Sequence, residues 1–228
     1  WIDASGVATL EQARQQNFRP APAILGRGYT PSATWWRVSI AAQPQPLLLL
    51  TVQPTYLDHV QLYRQSPPGQ WQMQLGGDRH AFGERDRKEL APTFALELKP
   101  HEGTVVYLRV QTTSTHITQV LVRSPKNVQD GQELMLLGLG VYVSIVLLLA
   151  GSALMHYSVS RDKLWLAASG FQLAGTIGAL TGLGVHSKYL WPDQPALADA
   201  MFSASITLHL ALGNIFGYLL FRTYAAPA

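Results

Sequence analysis

Apolar positions along this chain follow two regimes. From Tyr29 to Arg123 they alternate with polar ones in short runs of period two, and from Leu134 onward they merge into long uninterrupted stretches. The first regime predicts strands at Trp35–Ala41, Leu47–Val52, Asp58–Tyr63, Trp71–Leu75, Thr93–Leu98, Val105–Thr112 and Thr118–Arg123. Between them stand turn-forming clusters: Gln-Pro-Gln-Pro (43–46), Pro-Pro-Gly (67–69), Gly-Gly-Asp (76–78) and His-Glu-Gly (101–103). Short strands at this spacing predict an all-β antiparallel sandwich or jelly roll. Residues 1–20 read as a short helical lead-in. Ser5 and Thr9 are candidate N-caps, Leu10–Gln16 suits a helix, and Pro20 and Pro22 stop it.

Alternation assigns faces. Trp36, Val38 and Ile40 share a side, as do Val60 and Leu62, Phe94, Leu96 and Leu98, and Val106, Leu108 and Val110. These aliphatic sets are expected to form the core. The opposite sets mix aromatic rings, arginines and amides: Trp35, Arg37 and Ser39; His59, Gln61 and Tyr63; Tyr107, Arg109 and Gln111. Aromatic rings stack on apolar ligand faces and arginine forks onto carboxylates or hydroxyls, so this side is a candidate surface for a glycan or a small organic anion. A polar outer face is also the ordinary state of an antiparallel sheet.

The second regime contains three stretches free of Asp, Glu, Lys and Arg: Leu134–Ser160, Leu164–Ser187 and Ala200–Phe221. Each exceeds the roughly 20 apolar residues that cross a bilayer. They predict membrane helices near 134–157, 164–186 and 200–221 after an exported domain (1–123) and a connector (124–133), the membrane region extending to residue 228. The first has twelve Leu, Ile and Val residues between Leu134 and Tyr157, a contribution of roughly −4 to −7 kcal/mol to insertion. The third carries His209 and Asn214, which need partners on neighbouring helices and form a candidate polar relay. Gly178/Gly182 and Gly213/Gly217 are GxxxG patterns, permitting close helix approach within one bundle or in a homodimer.

Charge sharpens this division. Only 14% of residues are charged, against about 25% in a soluble chain. Thirteen of 17 basic and 11 of 14 acidic residues lie in residues 1–133. Arg161 and Lys163 stand between the first two apolar stretches and Arg222 follows the third. The positive-inside rule therefore puts residues 1–133 outside, which in a bacterium is the periplasmic side of the inner membrane. A domain of this size needs a signal peptide for export, so the numbering is expected to be that of a mature or trimmed chain, and the abrupt end after the third stretch suits a piece of a longer polytopic protein. A net charge of +3 without Lys/Arg clustering does not make a nucleic-acid footprint.

Catalytic and cofactor chemistry finds little support. Cysteine is absent, which removes disulfides, zinc–thiolate sites and Cys nucleophiles. There is no GxxxxGK[ST], HExxH or GxSxG, and no two histidines stand four residues apart. No enzyme activity, metal or cofactor is expected within the chain. The charged run Asp78–Glu89 reads as a solvated loop, or as a mobile loop over the ligand face with Arg85 turned inward.

Four segments in order, Gly28–Val38 (with Trp35-Trp36-Arg37), Tyr56–Tyr63, Gly76-Gly77-Asp78 with Arg85, and Tyr107–Val110, lie ahead of the apolar helices. This set resembles the type 2 extracellular domain of bacterial seven-transmembrane receptors with diverse intracellular signalling modules. The resemblance implies a carbohydrate-binding-like jelly-roll sensor outside, seven membrane helices, and an intracellular output module, often a histidine kinase or a diguanylate cyclase. The chain departs from that pattern by holding three helices and no output module. The expected function is a membrane-anchored receptor whose exported domain binds a ligand. The expected ligand residues are Trp35, Arg37, Tyr63, Arg85, Tyr107 and Arg109, with Asp58 as an orienting carboxylate. Expected partners are that ligand and membrane lipid. The alternative is an envelope protein–protein interaction module without a small-molecule ligand.

Overall fold

A computed structural model describes residues 1–66, 69–99 and 101–224. The Pro67–Pro68 part of one expected turn and the last four residues of the expected membrane region lie outside them. The chain divides into two compact units. One is Trp1–Asp130 with Leu183–Ala196; the other is Gly131–Gly182 with the residues from Leu197 on.

The first unit is a sandwich of two antiparallel sheets. Its strands are β1 (Ile2–Asp3), β2 (Leu25–Gly26), β3 (Ala33–Ile40), β4 (Leu47–Gln53), β5 (His59–Gln65), β6 (Trp71–Gly76), β7 (Thr93–Glu97), β8 (Thr104–Gln111) and β9 (Ile117–Arg123). One sheet runs β1-β3-β8-β5-β6 and the other β2-β9-β4-β7. All seven expected strands are present, within two residues of their expected ends. β1 and β2, two residues each, carry no readable period.

The core lies between the sheets. Leu62, Val106, Leu108 and Val110 of one sheet meet Leu48, Leu50, Phe94 and Leu96 of the other, and Trp36, Val38, Val120 and Val122 close it at the sides. These are the aliphatic sets that alternation assigns inward. Burying each such side chain contributes about 1.5–3 kcal/mol, so the pleat, and not any single contact, selects this register.

Helix α1 (Leu10–Arg14) begins at Thr9, whose hydroxyl accepts from the Gln12 N–H while the Gln12 side chain accepts from the Thr9 N–H. This reciprocal cap satisfies two of the orphan donors at the helix start. The helix stops at Arg14, well before Pro20.

The second unit holds most of α2 (Pro125–Ser160), α3 (Lys163–Gly182) and most of α5 (Pro195–Tyr224). All three are long and apolar enough to cross a membrane. Ser124 alone separates β9 from α2, so the stretch expected as a connector is the first two and a half turns of a helix. Large apolar side chains of α2, such as Leu137 and Leu148, are exposed within the unit, as a lipid-facing helix requires. α3 and α5 pack closely. A Cβ on Gly213 would stand 3.0 Å from the Phe171 ring, and one on Gly175 3.0 Å from the His209 ring. Thr181 and Ser205 hydroxyls meet at 2.8 Å across the same pair.

The segment Leu183–Ala196, with α4 (Val185–Tyr189), belongs to the sandwich unit. The Phe82 N–H donates to the Pro192 carbonyl at 2.7 Å, and Lys188 Nζ lies 6.0 Å from the centre of the Phe82 ring.

His116, just before β9, is wholly buried, and neither ring nitrogen has a hydrogen-bond partner among the described residues. Burial, and then the nearby Arg27 charge, push its pKa below the ordinary histidine value. Protonation then favours the unfolded chain, so stability is complete above the unfolded pKa of about 6.5 and falls as pH drops below it. Thermal unfolding of the full chain in detergent between about pH 7.5 and 5 should show this loss, and His116→Leu should flatten it.

Candidate functional site

Because β3, β8 and β5 are neighbours, the outer-face residues fall into cross-strand rows. Trp35, Arg109 and Gln61 form one row; Arg37, Tyr107 and Tyr63 form the next. The structure thus gathers five of the seven expected ligand residues on one face. It also covers that face. Leu10 and Ala13 of α1 pack on Trp35 and Tyr107, with Trp1, Phe18, Tyr63 and Trp71 around them. Trp35 stacks on Tyr63 with ring centres 5.5 Å apart, and Trp71 meets Tyr107 edge-on at the same distance. Trp35 is only 1% exposed and Tyr107 8%. The aromatic residues expected as an open platform are therefore a second hydrophobic layer, closed by the chain's own N-terminal segment. A five-residue helix has too little period to announce this in sequence.

Arg109 ties that segment down. Its guanidinium donates to the Gly6 carbonyl at 2.5 Å, to Gln111 Oε1 at 2.7 Å and to Gln61 Oε1 at 3.2 Å. Gly6 has φ +69° and a Cβ there would stand 2.8 Å from Gln111 Nε2, so only glycine fits. Asp3 organises the turn into α1, accepting from the Ser5 hydroxyl at 2.6 Å and the Ala8 N–H at 2.8 Å. Burial works against its charge, yet these bonds outweigh it and hold the carboxyl below its ordinary range.

The other two expected residues stand elsewhere. Asp58 is buried, accepting from the Thr112 hydroxyl at 3.0 Å and from the Thr113 N–H at 2.9 Å and hydroxyl at 2.7 Å. It pins the start of β5 to the turn after β8. Arg85 is buried too, donating to the Gly77 carbonyl at 3.0 Å and the Leu90 carbonyl at 3.3 Å, with its guanidinium 4.7 Å from the Phe82 ring centre. The loop expected to be mobile is thereby anchored from within.

Arg37 alone among the seven is exposed. It sits at the mouth of a cavity of about 890 Å³. The Trp35 N–H donates to the Trp1 carbonyl at 2.8 Å, and among the described residues no strand pairs with this side of β3 beyond it. The same parity turns the backbone N–H and C=O of Arg37 and Ser39 toward the open edge. Behind that edge the sheets part, and Trp36, Val38, Val120 and Val122 line the gap. The strap Gln16–Ala23 crosses it, leading from α1 on one sheet to β2 on the other. Arg37 lies 5.4 Å from the centre of the strap's Phe18 ring. Thr34 Oγ1 and Trp36 Nε1 are buried with no hydrogen-bond partner among the described residues. Sequence reasoning misses the cavity because residues of both sheets and of a distant strap line it together. The residues that signal it, Trp36, Val38 and Val122, read in sequence as ordinary core.

In the second unit, Asn214 Nδ2 donates to the Leu210 carbonyl of its own helix at 2.8 Å, and His209 stacks on Phe171 at 4.5 Å. The expected pair makes separate contacts. Of the GxxxG glycines, Gly213 and Gly182 face Phe171 and Phe202, whereas a Cβ on Gly178 or Gly217 would meet nothing within 4 Å.

Residues 1–124, over half of the chain, match the family described as 7TMR-DISM extracellular 2. The chain belongs to this receptor family. No curated protein matches it. Membership places the sandwich outside the cell's membrane, in a sensing and not a catalytic role, and the apolar helices make the chain a membrane protein.

Ala13 has no exposed surface against the aromatic layer, so Ala13→Arg must displace α1. The expected cost is about 1–3 kcal/mol, read as a lower thermal midpoint together with loss of the near-ultraviolet dichroism of Trp35 and Tyr107.

Proposed function

We propose that this chain is the sensing and anchoring part of a multi-pass receptor of the bacterial inner membrane, and that its outside sandwich binds a small ligand in the strap-covered cavity. The observation that carries this reading is the cavity itself: about 890 Å³, lined by valines and tryptophans, with donors that have no partner among the described residues and with an exposed arginine. That is the usual size and make-up of a small-molecule site. The closed aromatic layer becomes its support, holding β3 from the outer side.

Two covalent routes lead from the sandwich to the membrane helices. One is the β9–α2 junction at Ser124; the other is the segment Leu183–Ala196, which joins α3 to α5 and packs at Phe82. A ligand that binds two arrangements of the strap unequally biases whatever those routes report, and only such a difference transmits a signal. The module receiving it lies inside the cell in this reading.

The absence of cysteine makes orientation directly testable. Single substitutions Gln70→Cys and Gln194→Cys should react with a membrane-impermeant maleimide in intact spheroplasts, and Ser160→Cys only after lysis. The reverse pattern overturns the reading. For ligand binding, the full chain in nanodiscs is screened by thermal shift against metabolites and glycans. A ligand whose shift disappears in Val122→Trp and Ala21→Trp, which fill the gap from the sheet and from the strap, supports the site. A ligand indifferent to both overturns it. A stoichiometric protein partner with an empty screen favours the interaction-module alternative.

A further inference from the structure

Resting on the reading that the cavity is the ligand site, its chemistry selects a class of ligand. Among the described residues no acidic side chain lines it, while Arg19 and Arg37 do. Arg37 makes no hydrogen bond or ion pair within the described residues, and its guanidinium lies by the Phe18 ring. Its planar fork remains available for two parallel bonds to a carboxylate, the geometry at which arginine excels. Thr34 is 2% exposed, and its hydroxyl and the Trp36 indole N–H are buried with no hydrogen-bond partner among the described residues. Every one of these groups can donate.

The inner wall is of a different kind. Val38, Val120 and Val122 offer methyl groups only, and Trp36 lines the cavity with them. A sugar seated there would strip water from several hydroxyls and return few partners, a cost that grows with each one. An apolar body loses nothing by the exchange.

We propose that the cavity takes an amphipathic monocarboxylate, its apolar body between the sheets against Trp36 and the valines and its carboxylate at Arg37.

The test uses the full chain in nanodiscs and calorimetric titration with sodium butanoate through octanoate, the matching primary alcohols and alkylammonium ions, and a panel of mono- and oligosaccharides. Alkanoate affinity should rise about fourfold per methylene until the cavity is filled. The alcohols should bind at least about tenfold more weakly, and the ammonium ions not at all. Arg37→Gln should erase the preference for carboxylate over alcohol while keeping the chain-length dependence, a pattern that unfolding cannot produce. Ala21→Trp, on the exposed strap, should abolish binding without lowering the thermal midpoint. Alkanoates and alcohols binding alike, or alkanoate binding unchanged in Arg37→Gln, overturns the proposal. Saccharide binding that Ala21→Trp abolishes also overturns it, yet leaves the cavity as the receptor's site. If no probe binds, the ligand class fails, and the reading of the cavity then stands or falls on the broader screen.

Discussion

β3 is covered on both faces, and the outside domain is organised around that condition. Its inward residues, Trp36, Val38 and Ile40, pack on the core, while its outward Trp35 is sealed under α1. A slip of one residue against β8 would exchange the two sets and put Arg37 into the core. The register is therefore held from both sides. Among the described residues, β1 pairs with Ala33 and Thr34.

The N-terminal segment supplies both the cover and the strap. Its placement rests on polar ties that are individually modest: the Thr9 cap, the Asp3 turn and the Arg109 bonds to Gly6 and the two glutamines. Each is worth about 0.5–3 kcal/mol. Together they position a helix too short to persist alone, and the burial of Leu10 and Ala13 on the aromatic layer does the rest. Residues that look like a ligand platform thus serve as the floor on which the strap's starting point is built.

The same economy of contacts is absent from the membrane half. α3 and α5 approach closely through glycine against aromatic rings and one hydroxyl pair, the kind of packing that works where no water is available to drive association. Polar side chains there are mostly satisfied within their own helix, as with Asn214 and Thr207. Leu183–Ala196 stands apart from this pattern, since its partners are the 3-10 turn and loop around Phe82 in the sandwich unit.

By itself the sequence determined the seven main strands, their inward faces, the three apolar helices and the receptor family. Each of these rests on local periodicity, on an uninterrupted run, or on an ordered set of motifs, all of which are written along the chain. Only the tertiary structure decided what the outward residues do. Trp35, Tyr63 and Tyr107 have the same alternation whether water, a ligand or a helix covers them, and Arg85 and Asp58 carry the same charge in a loop as in a buried tie. The cavity was illegible for the same reason. It exists where a strap from elsewhere in the chain passes over the gap between two sheets, a coincidence of distant segments that no single stretch of sequence encodes.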